Sequence, residues 1–249
     1  MNSLRQGPGF HIIVEPDHAF LALRGARLLV ESASLSEKRW GEFRVAISGG
    51  NTPRAMHALL AQEDLGFKAP WENTHIFWAD ERLVPYESNF SNYGAAKRDF
   101  VSKVPLPRKN IHPIPVKGRP EAAAKAYEAE LKRALFSGSQ SRPLLDLVFL
   151  GIGTDGHVAS LFPGSSALEE RNKWVAISKG GNPLLQRVTM TLPLINQAAM
   201  VVIMASGRGK ADIVKRALVD KEGSLPATRV SLKGGRVIWL LDQKAASRL

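Results

Sequence analysis

The chain has 249 residues, 44% of them apolar, a net charge of +11 and no cysteine, enough length for one large α/β core or two small domains. The missing cysteine excludes disulfides, thiol catalysis and thiolate metal sites, no apolar run has the length of a membrane span, and Met1 to Phe10 lack the apolar core of a secretory signal, so a cytoplasmic protein is expected. The positive charge admits nucleic acid, an anionic surface or an acidic substrate, but Lys and Arg are spread along the chain without a block or a nucleic-acid signature, so neither a dedicated nucleic-acid site nor a membrane partner is expected.

In chain order, residues 9–14 read as a first strand, and Pro16 to about Trp40 as a helix with Phe20, Leu23, Leu28 and Leu29 among its apolar positions. A buried strand over 43–48 runs into Ser48-Gly49-Gly50-Asn51-Thr52-Pro53 and a helix to about Gln62, with Thr52 suited to the N-cap and Pro53 to the first helical position. Two glycines before a helix free N–H groups to face an anion, which the helix dipole also favours. The spacing is not that of a Walker loop. A strand over 74–79 ends in Asp80-Glu81-Arg82. Charged residues just past a buried strand lie at the ligand-binding edge of an open α/β sheet, where Arg82 suits phosphate; a surface salt-bridge cluster is the plainer alternative.

Ser91-Asn92 caps a helix to about Val104, Pro-rich residues 105–118 read as a surface connection with a short strand, and 120–137 is an amphipathic helix lined by Tyr127, Leu131, Ala134 and Leu135. Residues 137–143 read as a loop. Further strands are expected over 145–150, 173–178, 187–192, 199–205 and 236–241. The strand over 199–205 leads through Ser206-Gly207-Arg208-Gly209-Lys210 into a helix to about Val219, and Lys210 at that junction offers a point charge to a phosphate. Strands alternating with helices, without an internal repeat, argue a doubly wound, mainly parallel α/β sheet.

Leu144 to Gly164 is the most informative stretch: an apolar strand, glycines at 151, 153 and 156 with Asp155 and His157 among them, then a short helix-like pattern at Val158, Leu161 and Phe162. The glycines match a dinucleotide fingerprint, which also needs an acid ending the next strand; Ile177-Ser178-Lys179 supplies none. A structural turn with a chance histidine is the second reading. The third is a general base in a site for an anion. The C-terminal ends of parallel strands share one edge, so Gly49, Gly50, Thr52, Asp80, Arg82, His157 and Lys210 are expected to line one cleft. Chemistry alone then gives a phosphorylated small substrate and general-base catalysis.

The set Ser48 to Pro53, Trp78-Ala79-Asp80-Glu81-Arg82-Leu83-Val84-Pro85, Ser91-Asn92-Tyr93, Asp146 to Gly164, Arg187-Val188-Thr189-Met190-Thr191-Leu192 and Leu225-Pro226-Ala227 closely resembles the 6-phosphogluconolactonase family. The match spans most of the chain, in order. The resemblance implies a single Rossmann-like domain over 1–249 with helices on both faces, shared with sugar-phosphate isomerases and deaminases. It also implies hydrolysis of 6-phosphoglucono-1,5-lactone to 6-phosphogluconate, in the oxidative pentose phosphate pathway, with neither metal nor cofactor. Oligomeric state is open, with a monomer favoured. The family's common Ser, Pro and Thr are here Asn51, Thr154 and Val158.

By the same resemblance His157 takes a proton from the attacking water, Asp155 or Asp80 orients it, and Arg82, Lys210 and the N–H groups of Gly49, Gly50 and Thr52 hold the 6-phosphate. Arg187 is a further candidate for binding. Glucosamine-6-phosphate deaminases resemble the chain too, but their pattern has a catalytic Glu where this chain has Phe162, and Asp-Glu-Tyr where it has Asp80-Glu81-Arg82. The alternatives are therefore a deaminase-like enzyme or a non-catalytic sugar-phosphate binder.

Overall fold

A computed structural model describes residues 5–7, 10–62, 69–136 and 142–249. The expected loop over 137–143 falls mostly outside them. The main sheet has eight strands in the order β1-β2-β11-β10-β7-β3-β4-β6. They are β1 (Arg5–Gly7), β2 (Phe10–Glu15), β3 (Phe43–Ile47), β4 (Thr74–Trp78), β6 (Ile111–His112), β7 (Leu147–Gly151), β10 (Met200–Ala205) and β11 (Arg236–Asp242). Every pairing is parallel except that of β1 with β2. Such strands are covered on both faces and read as unbroken apolar runs. Accordingly β3 and β10 are buried along their whole length.

Helices α1 (His18–Trp40), α2 (Asn51–Leu60), α4 (Pro120–Leu135) and α6 (Ala211–Leu218) make the crossovers. From β2 the chain jumps to β3 and proceeds outward through β4 to β6. It then returns to β7, beside β3, and proceeds the other way through β10 to β11. Right-handed crossovers therefore put α1 and α2 on one face and α4 and α6 on the other. They also place the topological switch point between β3 and β7, where a crevice opens beyond the carboxyl ends of the strands.

A second, three-stranded antiparallel sheet departs from the expectation of one sheet. Its order is β5 (Asp80–Arg82), β9 (Leu185–Met190), β8 (Val175–Gly180). Asp80-Glu81-Arg82 is thus a strand, not a loop past β4. Glu81 is fully buried and accepts hydrogen bonds from Ser91 Oγ at 2.9 Å and from the N–H groups of Asn92 and Tyr93, both at 2.7 Å. It pins the start of α3 (Asn92–Ala96), which Ser91 caps as expected, to the small sheet. Burial raises the Glu81 pKa despite those bonds.

Two local expectations are corrected. Helix α2 begins at Asn51 with Gly50, at φ 101°, in the N-cap position, and no side chain caps it, so Thr52 is not the cap. Residues 158–164 form turns rather than a helix. Val158 bridges Ile152 and Leu161, and its side chain and that of Leu161 are both in the core. Apolar spacing alone does not distinguish that from one helical turn.

At the amino-terminal end of the switch-point strands, Asp146 Oδ2 accepts from the Arg44 N–H at 2.8 Å, and the Asp146 N–H donates to the Arg44 carbonyl at 2.9 Å. Arg142 Nη2 lies 3.1 Å from the same carboxylate, with both side chains nearly fully buried. Removing one member of a buried pair leaves the others uncompensated. Asp146→Leu is therefore expected to lower unfolding stability by about 3 kcal/mol, read as a lower urea midpoint at unchanged m-value.

Candidate active site

Two glycine loops flank the switch point. After β3, Gly49 has no room for a side chain: a Cβ there would lie 1.9 Å from Asn92 Oδ1. Asn92 in turn donates through Nδ2 to the Asp80 carbonyl at 2.8 Å and to Asp80 Oδ1 at 3.2 Å. The Gly49–Gly50 turn is thereby fixed against the small sheet, and the first turn of α2 is uncapped by any side chain, which leaves backbone N–H groups of the kind that can bind an anion.

After β7, the backbone folds back on itself. Gly156 adopts φ 86°, and the Gly153 N–H donates to the His157 carbonyl at 2.8 Å. This turn brings Asp155 Oδ1 to 2.6 Å from His157 Nδ1 and 3.1 Å from the His157 N–H. The imidazole side chain is 28% exposed, so a small substrate can reach it. With Nδ1 held by the carboxylate, Nε2 is the nitrogen left to act as a base. Burial pushes the Asp155 pKa up, but the hydrogen bonds and charge of His157 outweigh it and hold the carboxyl below its usual value. Asp155 therefore stays ionised beside the ring. The turn is buttressed from behind by Leu225, which packs on Gly156, and by the Ala227 N–H, which donates to the Gly156 carbonyl at 3.1 Å. Leu225-Pro226-Ala227 thus gains a role that its sequence does not reveal.

Of the two carboxylates proposed to orient His157, Asp80 is turned elsewhere. Its Oδ2 accepts from Ser160 Oγ at 2.6 Å and lies 3.7 Å from Arg187 Nη1. It is a buried organiser of the crevice wall, and Asp155 is the partner of the imidazole. Arg187 is also nearly fully buried: Nε donates to the Gly180 carbonyl at 3.1 Å, and the guanidinium lies 5.5 Å from the centre of the Phe162 ring. Burial lowers its pKa, partly offset by the charge of Asp80. Phe162 in turn packs on His157, ring centres 4.5 Å apart. Ser160 is a supporting residue that the sequence did not single out, while Asn92 and Phe162 were noted only as part of a helix cap and as the position where the deaminase pattern has a Glu; the contacts that give them a supporting role here leave no local signal.

Arg82 stands opposite Arg187 in the small sheet. Like charges directly across a strand pair repel, and an anion in front of them would relieve that repulsion. Arg82 Nη1 donates to the Phe90 carbonyl at 2.7 Å. Its Nε is buried without a hydrogen-bond partner among the described residues. Lys210 closes the other side, donating through Nζ to the Ile152 carbonyl at 2.8 Å; burial lowers its pKa, and the charge of Asp155 opposes that. Among the described residues no group of three or more His, Asp or Glu side chains converges to hold a metal ion, and no helix is long and apolar enough to cross a membrane.

A cleft of about 1150 Å³ lies at the amino-terminal ends of the strands, the opposite edge of the sheet, lined by Arg39, Trp40, Arg142, Lys233 and Arg236 among others. It has no histidine and no exposed base, so size does not make it the reaction site. A carboxylate-held histidine after β7, with an uncapped helix N-terminus after the neighbouring β3, marks the ligand-binding edge of an α/β enzyme.

The comparisons with known proteins make this specific. Residues 16–239 match the family model for glucosamine-6-phosphate isomerases/6-phosphogluconolactonase. The chain is 40% identical over 223 residues to the 6-phosphogluconolactonase of Rattus norvegicus, covering 88% of this chain and 85% of that protein. With the 6-phosphogluconolactonase of Nostoc it shares 34% identity over 239 residues, covering 95% and 97%. The solved structure of 6-phosphogluconolactonase from Trypanosoma brucei superposes with a TM-score of 0.82 at 29% identity, covering 99% and 100%. This chain belongs to the glucosamine-6-phosphate isomerase/6-phosphogluconolactonase family.

Gly153 offers a direct test of the dyad geometry. A Cβ at that position would sit 2.1 Å from His157 Nδ1 and 2.5 Å from Asp155 Oδ1. Gly153→Ala is expected to cut kcat about 100-fold by displacing the imidazole, with the far-ultraviolet circular dichroism spectrum retained. The carboxylate offers a second. Asp155→Ala removes the acceptor that holds His157 Nδ1, so kcat should fall by about tenfold or more with a smaller change in KM.

Proposed function

We propose that this chain is a 6-phosphogluconolactonase that hydrolyses 6-phosphoglucono-1,5-lactone to 6-phosphogluconate, with His157 as general base. The observation that carries the reading is the Asp155-held imidazole at the end of β7, facing the uncapped N-terminus of α2 across the switch point.

The chemistry follows from the placement. His157 Nε2 takes a proton from water as its oxygen attacks C1 of the lactone. The carbonyl becomes a tetrahedral oxyanion, which collapses by breaking the bond from C1 to the ring oxygen. The imidazolium returns the proton to that oxygen, giving the C5 hydroxyl and a C1 carboxylic acid, which releases its proton to solvent as the C1 carboxylate forms. Asp155 favours the imidazolium between the two transfers. A lactone is already reactive toward water, so a positioned base and a grip on the phosphate suffice without a covalent intermediate. We assign that grip to Arg82, Lys210 and the N–H groups of Gly49, Gly50 and Thr52. Arg187 and Asp80 act on it from behind, as a buried support.

A deaminase reading is disfavoured by Phe162. It packs against the His157 ring where that reaction would require a carboxylate to move a proton. A non-catalytic sugar-phosphate binder would need no ionised carboxylate on the histidine. We read the whole chain as one such domain, monomeric and cytoplasmic, an assignment that the lack of cysteine permits.

Turnover of freshly generated 6-phosphoglucono-1,5-lactone above its spontaneous rate tests the function. His157→Ala should lower kcat by about 100-fold or more, and EDTA should leave the wild-type rate unchanged. No acceleration by the wild type would overturn the lactonase reading; full activity in His157→Ala would overturn the base.

A further inference from the structure

The sequence offers Lys210 as a phosphate ligand, but the structure ties the same ammonium to the turn that carries the base. Nζ donates to the Ile152 carbonyl at 2.8 Å. The peptide group bearing that carbonyl also bears the Gly153 N–H, which donates to the His157 carbonyl at 2.8 Å. One planar peptide unit therefore stands between the ammonium and the His157 backbone. Hydrogen bonds at the two ends of a peptide polarise each other, so fixing one strengthens the other. Ile152 and Val158 are bridged across the same turn, and Gly153 lies so close to the Asp155–His157 pair that a Cβ would strike both side chains. A rotation of this one peptide plane would displace both members of the dyad.

Lys210 sits in the short 3-10 turn Arg208–Lys210 that leads into α6 and is half-buried. An ammonium has three donors, and one is committed to Ile152. Two remain for an anion in the crevice. Building on the lactonase reading above, we propose that Lys210 couples the substrate phosphate to catalysis: phosphate bound to its free donors locks the Ile152–Gly153 peptide and with it the position of His157. Lys210 is then a positioning residue as well as a ligand. The phosphate accelerates the bond-breaking step rather than only anchoring the sugar, as binding energy from a remote, non-reacting group can. An unphosphorylated lactone that enters the site meets a base held by Asp155 and the Lys210–Ile152 bond alone, less firmly than with phosphate bound.

The test separates affinity from coupling by cutting the substrate into two pieces. Hydrolysis of glucono-1,5-lactone is measured with and without inorganic phosphite, alongside hydrolysis of the intact phosphorylated lactone. For the wild type, phosphite should raise kcat/KM on glucono-1,5-lactone by at least about tenfold. In Lys210→Met that activation should vanish, and kcat on the phosphorylated lactone should fall by at least about tenfold along with a rise in KM. An unaltered kcat with only KM raised, or a wild-type rate on glucono-1,5-lactone indifferent to saturating phosphite, would overturn the coupling. Those failures leave turnover of the phosphorylated lactone by the wild type intact. Loss of that turnover is what would remove the underlying reading.

Discussion

The pairing of β3 with β7 is the constraint on which the rest depends. These two strands are adjacent in the sheet but distant in sequence, and the chain leaves them in opposite directions. Their amino-terminal ends are locked by the reciprocal bonds between Arg44 and Asp146, inside a buried cluster completed by Glu42 and Arg142. Their carboxyl ends carry the two glycine loops. A shift of one residue in register would turn either Val45 and Ala46 or Leu147 and Val148 to the opposite face of the sheet. It would also displace the glycine loop after β3 relative to the imidazole after β7. Rigidity at one end of the pair thus sets the spacing of the two loops at the other.

The small antiparallel sheet supplies the second wall. It presents Asp80 and Thr189 to Ser160, and Arg187 to Phe162, so the segment following His157 rests on a surface held by buried charge and hydrogen bonds. Asn92 extends this network to Gly49 through Asp80. Both glycine loops therefore lean on Asp80. This gives a physical reason for a buried carboxylate near the site that takes no part in moving the proton. Its ion pair with Arg187 is long, at 3.7 Å, so the shorter bond to Ser160 and the packing of Phe162 do much of the holding.

Most of the main sheet was legible in the sequence because parallel strands announce themselves as apolar runs: Phe43–Ile47, Leu147–Gly151 and Met200–Ala205 each stand out. The glycine loops were legible too, since Gly49, Gly153 and Gly156 mark places where the backbone turns sharply or another group approaches closely. Two strands of the small sheet were legible, over 173–178 and 187–192, but their separation into a sheet of their own with β5 was not. Strand β5 is three charged or polar residues, Asp80–Arg82, whose partner lies a hundred residues on, and a non-local pairing leaves no local pattern. The same limit hid the choice between Asp80 and Asp155: both lie near strand ends, and only the fold shows which one the imidazole meets. It also hid the second bond of Lys210, because the Ile152 carbonyl is a backbone atom that no residue type advertises.

On the proposed function, one crevice at the switch point holds the lactone carbonyl against His157 and the phosphate against the opposite loop. A crystal structure with 6-phosphogluconate bound is the decisive experiment. The C1 carboxylate is expected within hydrogen-bond reach of His157 Nε2, and the phosphate among the N–H groups of Gly49, Gly50 and Thr52, Arg82 and Lys210. Product bound in the cleft of Arg39 and Trp40 at the other edge of the sheet, or with C1 remote from His157, would contradict it.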